Sequence, residues 1–180
     1  CSYLTPFINH AINSGDLRYI GAANEGDAVA IAAGAELGGR PAVVMFQNSG
    51  LVNAVNPLTS LTFTFRIPVL LIVTWRGEPG GPVDEPQHEL MGAVTPQLLE
   101  LMGIPWALFP DEESAIGPVL DKATAHLQGE RRPYALLMRK DSVADTRLAA
   151  GSRLRPPASV TSAPRPAPVV QRHAVLSAIR

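Results

Sequence analysis

The stretch Ala-Ala-Asn-Glu-Gly-Asp-Ala-Val-Ala-Ile-Ala-Ala-Gly, residues 22–34, places one glutamate at a predicted junction between a strand and a helix. The strand is predicted over residues 17–22, and the helix runs from Glu25 to about residue 37. Because open α/β sheets bind ligands at the carboxyl ends of their strands, Glu25 lies where a ligand is expected. The small residues of the helix predict close packing against a sheet or another backbone.

The pattern around Glu25 allows two interpretations. Asn24 is a good helix N-cap and acidic residues are ordinary in a first helical turn, so Glu25 can be purely structural. A carboxylate at this point can also exchange a proton with a bound heterocycle. The spacing alone leaves both interpretations open.

Short apolar runs alternate with helical patterns along the rest of the chain. Continuous apolar segments at 41–47 and 68–74 are typical of strands buried on both faces. Further strands are predicted at 106–109 and 134–139, and helices at 5–13, 49–64, 96–102 and 111–127. This alternation predicts an α/β fold, a doubly wound parallel sheet with helices on both faces.

Composition excludes several classes of function. The chain has 180 residues, of which 17% are charged, and a formal net charge of −1, so nothing favours nucleic acid as a partner. The single cysteine, Cys1, excludes a disulfide framework within the chain and suits a cytoplasmic location. The longest apolar run, 67–75, is too short to span a membrane. Neither a dinucleotide- nor a phosphate-binding glycine motif occurs, and no metal-ligand spacing is present.

Polar residues follow both apolar strands. Asn48, Ser49 and Gly50 either cap the next helix or face a ligand, which Gly50 allows to approach the backbone. The long loop from residue 76 to about 92 contains His88, the side-chain type that most often transfers protons in catalysis. A Gly-Gly-Pro stretch at 80–82 predicts a hinge that closes this loop over a substrate. The alternative is a solvated surface loop.

Three segments together carry a resemblance to a known family. They are Asn24-Glu25-Gly-Asp-Ala, Gln47-Asn-Ser-Gly-Leu-Val-Asn, and the stretch from Trp75-Arg-Gly to Asp84-Glu-Pro-Gln-His. In this order they resemble the pyrimidine-binding domain of thiamine-diphosphate-dependent decarboxylases, and within them the phosphonopyruvate and sulfopyruvate decarboxylases. The resemblance covers about residues 1–140.

The resemblance implies roles for individual residues. Glu25 would hydrogen-bond the ring nitrogen of the aminopyrimidine of thiamine diphosphate, and Asn48, Ser49 and Gly50 would contact the cofactor. Ser2, Arg76 and Gln87 would bind the substrate, Ser2 as the serine of the strand-to-helix turn. His88, with Gln87 as the alternative, would return a proton after decarboxylation.

The implied reaction is the nonoxidative decarboxylation of 3-phosphonopyruvate to phosphonoacetaldehyde and CO₂. The family binds Mg²⁺ and the diphosphate through a Gly-Asp-Gly motif that this chain lacks, so a C-terminal domain or a beta subunit is expected to hold both. The protein is expected to be a homo- or hetero-oligomer. The alternatives are the alpha subunit of a sulfopyruvate decarboxylase and a noncatalytic α/β interaction module.

The C-terminal part differs in composition from the rest. Five prolines between residues 156 and 168 stand among alanine, serine and arginine, which predicts a semi-rigid linker over 141–170. Residues 171–180 regain helical character, and the resemblance makes them the start of a missing C-terminal diphosphate-binding domain. At the other end, Cys1 falls where the family's first strand ends, so either that strand is missing or the chain is shortened by its numbering, and the sequence leaves both open.

Overall fold

The structure, a computed structural model, describes residues 2–149. Four strands and five α-helices form the regular part of this region, joined by short 3₁₀ turns. The helices are α1 (Thr5–Asn13), α2 (Glu25–Leu37), α3 (Leu51–Asn56), α4 (Glu89–Leu101) and α5 (Glu113–Gly129). The strands are β1 (Val43–Gln47), β2 (Leu70–Thr74), β3 (Trp106–Leu108) and β4 (Tyr134–Met138).

The four strands form one parallel sheet in the order β1-β2-β4-β3. The register aligns Gln47 of β1 with Thr74 of β2, and Thr74 with Met138 of β4. These three strands therefore end at the same edge of the sheet. The segments that follow them enter one region of the surface, which is the arrangement that builds sites in α/β proteins.

Helices cover both faces of the sheet. On one face α2, α3 and α4 pack through Val29, Leu51 and Leu99, each completely buried. On the other face the turn before α1 packs through Leu4, and α5 packs through Ala123. All five residues of β4 are buried as a result, as expected of a central strand covered on both sides. The predicted doubly wound parallel fold is confirmed.

The strand predicted at residues 17–22 does not form. This segment is irregular and solvent-exposed, with Leu17 55% and Ile20 50% exposed. A strand needs a hydrogen-bonding neighbour, and within the described residues the edge strand β1 pairs only with β2. Apolar composition alone was therefore an insufficient signal at this position.

Two predicted helices have different bounds in the structure. The helix predicted at 96–102 begins at Glu89, so Pro96 lies inside α4. Pro96 has no N–H to donate to the carbonyl of Gly92, and the indole Nε1 of Trp75 donates to that carbonyl instead, at 2.7 Å. The helix predicted at 49–64 consists of a 3₁₀ turn (Asn48–Gly50), α3 and a π-helix (Pro57–Phe63).

The segment after β4 returns to α1. Asn9 Nδ2 donates to the carbonyl of Thr146 at 2.7 Å, and Asn13 Nδ2 donates to the carbonyl of Arg147 at 2.8 Å. The first residues of the predicted 141–170 linker thus lie along this helix. The rest of the linker and the helical segment predicted at 171–180 lie outside the described residues. Across residues 2–149, no helix has both the length and the apolar character required to cross a membrane.

Candidate functional site

The N-terminus of α2 holds Glu25 in a defined position. Asn24 is the N-cap, and its Oδ1 accepts a hydrogen bond from the backbone N–H of Asp27 at 3.0 Å. Its Nδ2 donates to the carboxylate of Asp27 at 2.9 Å. Because Asn24 and Asp27 satisfy the helix start between them, the carboxylate of Glu25 is not needed for capping.

The carboxylate of Glu25 instead lies against the beginning of α3. Asn53 Nδ2 donates to Glu25 Oε2 at 2.9 Å. A Cβ atom on Gly50 would overlap the carboxyl group of Glu25, and one on Gly26 would come within 2.9 Å of the Asn53 carbonyl oxygen. Two glycines therefore allow the helix ends to approach this closely, and the half-buried carboxylate is held between them.

Asn48 joins three elements of the fold. It is completely buried, and its Nδ2 donates to the carbonyl of Arg76 at 2.8 Å and to Thr95 Oγ1 at 3.1 Å. Its Oδ1 accepts from the backbone N–H of Arg76 at 3.3 Å. The side chain is thus used to fasten the end of β1 to the end of β2 and to α4. Its predicted contact with a cofactor stays a prediction.

Ser49 occupies the exposed side of the same turn. Its Oγ accepts a hydrogen bond from Gln47 Nε2 at 2.8 Å, so the last residue of β1 and the turn after it form one polar patch. Gly50, next in sequence, lies beneath the carboxylate of Glu25. Ser49 is therefore exposed at the end of β1, one residue before the glycine that lies against Glu25.

The loop after β2 is organised around Asp84. Its carboxylate accepts from Arg76 Nε at 2.6 Å and from Arg76 Nη2, and from the backbone N–H groups of Gly77 at 3.1 Å and Glu85 at 2.8 Å. The hydrogen bond from the Arg76 guanidinium holds the pKa of Asp84 well below its usual range. The hydrogen bond to Asp84 in turn raises the pKa of Arg76. Asp84 is therefore ionised, and Arg76 is already paired within the chain.

His88 is buried and connects this loop to β1. Its Nδ1 lies 3.1 Å from Asp84 Oδ1, and its Nε2 lies 3.3 Å from Gln47 Nε2. An ionised carboxylate is an acceptor only, so the Nδ1 that faces Asp84 carries a proton. The structure thus brings His88 to the same sheet edge as Ser49 and Glu25.

The base of the loop is closed by glycine contacts. Gly77 has φ +70°, and a Cβ on it would overlap the carbonyl of His88. A Cβ on Gly92 would overlap the backbone of Gly77. The two ends of the loop therefore touch through their backbones, which leaves the predicted Gly80-Gly81-Pro82 hinge at the exposed tip. Its closure over a substrate stays a prediction.

The N-terminal turn completes the site on the side of Arg76. The guanidinium of Arg76 lies 5.2 Å from the centre of the Tyr3 ring, a cation–π arrangement. Burial raises the pKa of Tyr3, and the nearby charge of Asp84 raises it further. Ser2 begins this turn, but its side chain lies outside what the structure describes. Gln87 is exposed on the 3₁₀ turn Pro86–His88.

Three residues of the site lie in the segments that carry the resemblance but were given no role from the sequence: Asn53, Asp84 and Gln47. Asn53 follows Gly50 by three positions, a spacing that places both on one face of a helical segment. Asp84 precedes His88 by four positions, which is also a contact spacing in a helical turn. Gln47 is the last residue of a strand, and the site lies at that end. The spacing of Asn53 from Gly50 and of Asp84 from His88 was therefore a signal in the sequence that these residues contact the predicted site.

The described residues contain no group of three or more histidine, cysteine, aspartate or glutamate side chains placed to hold a metal ion. The polar groups at this edge of the sheet are the carboxylate of Glu25, which accepts one hydrogen bond, and the buried imidazole of His88, which is paired with Asp84. The guanidinium of Arg76 is paired with the same aspartate. Such a set can bind a ring nitrogen and move protons.

Comparison with known proteins identifies relatives. The family model described as "Thiamine pyrophosphate enzyme, N-terminal TPP binding domain" matches residues 1–97. Phosphonopyruvate decarboxylases of Streptomyces viridochromogenes and Streptomyces hygroscopicus are 47% and 46% identical over 145 residues, covering 81% of this chain and 36% of each relative. Sulfopyruvate decarboxylase subunit alpha of Methanococcus maripaludis is 30% identical over 138 residues, covering 77% of this chain and 81% of that subunit. The chain thus spans about a third of the length of the two Streptomyces relatives.

Proposed function

Because the chain belongs to the thiamine pyrophosphate enzyme family, through the N-terminal TPP binding domain, we propose that it supplies the pyrimidine-binding half of a decarboxylase site. The proposed reaction converts 3-phosphonopyruvate to phosphonoacetaldehyde and CO₂. The name of the two Streptomyces relatives described above, phosphonopyruvate decarboxylase, supports this substrate. The observation that carries the proposal is the carboxylate of Glu25, held by Asn53 above Gly50 at the sheet edge.

The residues present fit the ring part of thiamine diphosphate. Glu25 is half-buried and fixed by one hydrogen bond to Oε2, which leaves Oε1 to hold a proton shared with a ring nitrogen. The exposed Oγ of Ser49 and the bare Cα of Gly50 border the same position. When bound, thiamine diphosphate supplies the electron sink for loss of CO₂. Glu25, Ser49 and Gly50 orient its ring, and we also assign a contact to Asn48.

His88 is the proposed proton donor to the substrate-derived carbon. It is buried, and its Nδ1 lies 3.1 Å from the carboxylate of Asp84, which leaves Nε2 on the side of Gln47 at the end of β1. Gln87, exposed on the turn before it, is the alternative donor and a proposed substrate contact. Arg76, beneath the ring of Tyr3, and Ser2 are the remaining proposed contacts to the anionic end of the substrate.

The diphosphate and Mg²⁺ require donors beyond those of the described residues. A diphosphate carries several negative charges, and Mg²⁺ in such sites is bound by carboxylates together with phosphate oxygens. We therefore propose that a C-terminal diphosphate-binding domain or a beta subunit completes the site, in a cytoplasmic homo- or hetero-oligomer. Ser49 and Glu25 would then face the completing partner.

A second candidate is the alpha subunit of a sulfopyruvate decarboxylase. The observation that favours it is coverage, because the match extends over 81% of the Methanococcus subunit. The two candidates share every residue assigned above and differ in the anion, a phosphonate or a sulfonate.

The test is an assay of the assembly formed by this chain with a diphosphate-binding half, with thiamine diphosphate and Mg²⁺. Aldehyde release is measured with 3-phosphonopyruvate and with 3-sulfopyruvate at equal concentrations. A higher kcat/KM for the phosphonate supports the first candidate, and a higher value for the sulfonate supports the second. Absence of turnover and of cofactor binding by the assembly would leave the third alternative, a noncatalytic α/β module.

A further inference from the structure

We propose that Asp84 is a positioning residue that fixes which ring nitrogen of His88 exchanges protons; this rests on the role of His88 proposed above. Asp84 touches neither Glu25 nor the turn at Ser49. It acts on His88 from the side of the ring opposite to Gln47.

Asp84 is itself held rigidly. Both of its carboxylate oxygens accept hydrogen bonds from Arg76, and backbone N–H groups of Gly77 and Glu85 add one bond each. Its side chain is 11% exposed. A carboxylate with this many fixed donors cannot rotate to follow the imidazole. The imidazole must therefore adopt the tautomer that the carboxylate requires, with the proton on Nδ1.

The other nitrogen of His88 faces the site. Nε2 lies 3.3 Å from Gln47 Nε2, an amide donor, so Nε2 is the acceptor in this arrangement. Gln47 Nε2 also donates to Ser49 Oγ, next to Gly50 and Glu25. A path of direct contacts therefore runs from Asp84 through His88 and Gln47 to the turn that carries the proposed cofactor contacts.

In the proposed step, Nε2 first takes the proton of a solvent hydronium ion, which becomes water. The Gln47 amide then turns its oxygen toward the imidazolium. After CO₂ leaves, the Nε2–H bond breaks as a C–H bond forms at the carbon that carried the carboxylate. His88 returns to its neutral form with the proton still on Nδ1. Asp84 stays ionised throughout and stabilises the imidazolium.

The charged groups around His88 come from several elements. Asp84 and, through it, Arg76 lie on the loop side, and Tyr3 of the N-terminal turn lies against Arg76. Gln47, on the β1 side, is neutral. His88 therefore has one anion, Asp84, in direct contact and one cation, Arg76, behind that anion.

The first test uses ¹⁵N NMR of histidine side chains in the full 180-residue chain, with His88 assigned from the spectrum of His88→Gln. We expect the Nδ1–H tautomer in the wild-type chain near neutral pH and a substantial Nε2–H population in Asp84→Asn. An Nε2–H tautomer in the wild-type chain would overturn the positioning role. The wild-type tautomer is read without Asp84→Asn, so poor folding of that variant does not obscure the result.

The second test measures kcat against pH in the active assembly. We expect Asp84→Asn to lower kcat about tenfold or more and to move the limb of the profile that reports His88, and Asp84→Glu to restore part of the activity. Glu78→Gln is the matched control, because Glu78 lies in the same loop but pairs at 2.6 Å with Arg139, which follows β4, and contacts no histidine among the described residues. Wild-type kcat and profile in Asp84→Asn would overturn the inference. A fully active His88→Gln would overturn the proton-donor role itself.

Discussion

Asn53 and Glu25, 28 positions apart in sequence, are joined by a hydrogen bond of 2.9 Å from Nδ2 to Oε2. The bond crosses from α3 to α2 at a point where Gly50 leaves no side chain between the helices. Asn53 therefore fixes one carboxylate oxygen, and the other, Oε1, lies against Gly50 and is the one that we propose a ligand uses. Positioning of the carboxylate by Asn53 and the proposed proton sharing by Glu25 therefore depend on different residues, and each can be tested with its own variant.

Replacing Asn53 tests whether its hydrogen bond positions the carboxylate of Glu25. Asn53→Ala removes one hydrogen bond to a charged group, worth about 1.5–3 kcal/mol when intact and less at a partly exposed site. We expect kcat to fall roughly 5- to 20-fold in the active assembly, while the melting temperature of the chain changes little. Steady-state kinetics and thermal unfolding measure this. Asn56→Ala, one turn further along α3, is the control and should stay near wild type; equal losses in both variants would contradict the assignment.

Replacing Glu25 tests whether its carboxylate shares a proton with the cofactor ring. Glu25→Gln keeps the size of the side chain and its acceptor oxygen but removes the exchangeable proton. We expect kcat to fall by about two or more orders of magnitude, as for loss of a general acid–base group. Circular dichroism of the variant should match wild type, since Asn24 and Asp27 cap α2 without Glu25. Near-normal turnover by a folded Glu25→Gln assembly would rule out the proton-sharing role.

The Gly50 position tests the close approach of the helices. A Cβ in Gly50→Ala would overlap the Glu25 carboxyl group, so we expect a displaced carboxylate, a loss of about 1–3 kcal/mol in unfolding free energy and weaker cofactor binding. Denaturant unfolding and calorimetric titration of the assembly measure both. Gly34→Ala is the control, because a Cβ there meets nothing within 4 Å and alanine favours a helix interior by about 1 kcal/mol. A stable, cofactor-binding Gly50→Ala would show that the two groups separate easily.

The lowered pKa of Asp84 predicts that the free energy of unfolding depends on pH. Its pKa is lowered in the folded chain, so its contribution is complete above the unfolded value of about 3.9 and is lost as the pH falls toward the folded value. We expect Asp84→Asn to be less stable than wild type by on the order of 2 kcal/mol at pH 7, with the difference shrinking below about pH 4. Urea unfolding across this range measures it. Glu78→Gln, whose partner Arg139 is half exposed, should cost under about 1 kcal/mol. A pH-independent difference for Asp84→Asn would contradict the prediction.

The sequence predicted the parts of the fold that depend on local pattern. α1 and α2 have their predicted bounds, and the continuous apolar runs form β1 and β2, because burial on both faces leaves a strong compositional signal. The strand at 17–22 failed because pairing is not local. The start of α4 was missed because the cost of Pro96 is offset by Trp75, a residue 21 positions earlier. Tertiary partners decided both cases.

The same distinction applies to the site. Glu25, Ser49, Gly50 and His88 were predicted from motifs, and the structure brings them to one sheet edge. Asn48 is also there, but its side chain is engaged within the fold, which a motif cannot reveal. Asp84 and Asn53 were missed as site residues because their importance lies in which atoms they contact. Contacts between separate segments appear only when the register of the strands is known.

The backbone contact between Gly77 and Gly92 divides the loop after β2 into a base and a tip, which we expect to differ in mobility. The base contains Arg76, Asp84 and His88, and its hydrogen bonds should exchange their amide protons slowly. The tip, which includes Gly80 and the fully exposed Val83, has few contacts and should exchange quickly. Motion of the tip can then change how fast substrate enters and product leaves without disturbing the order of the base. Little entropy would be lost there at the chemical step, because the groups that we propose to transfer the proton are ordered before the substrate arrives.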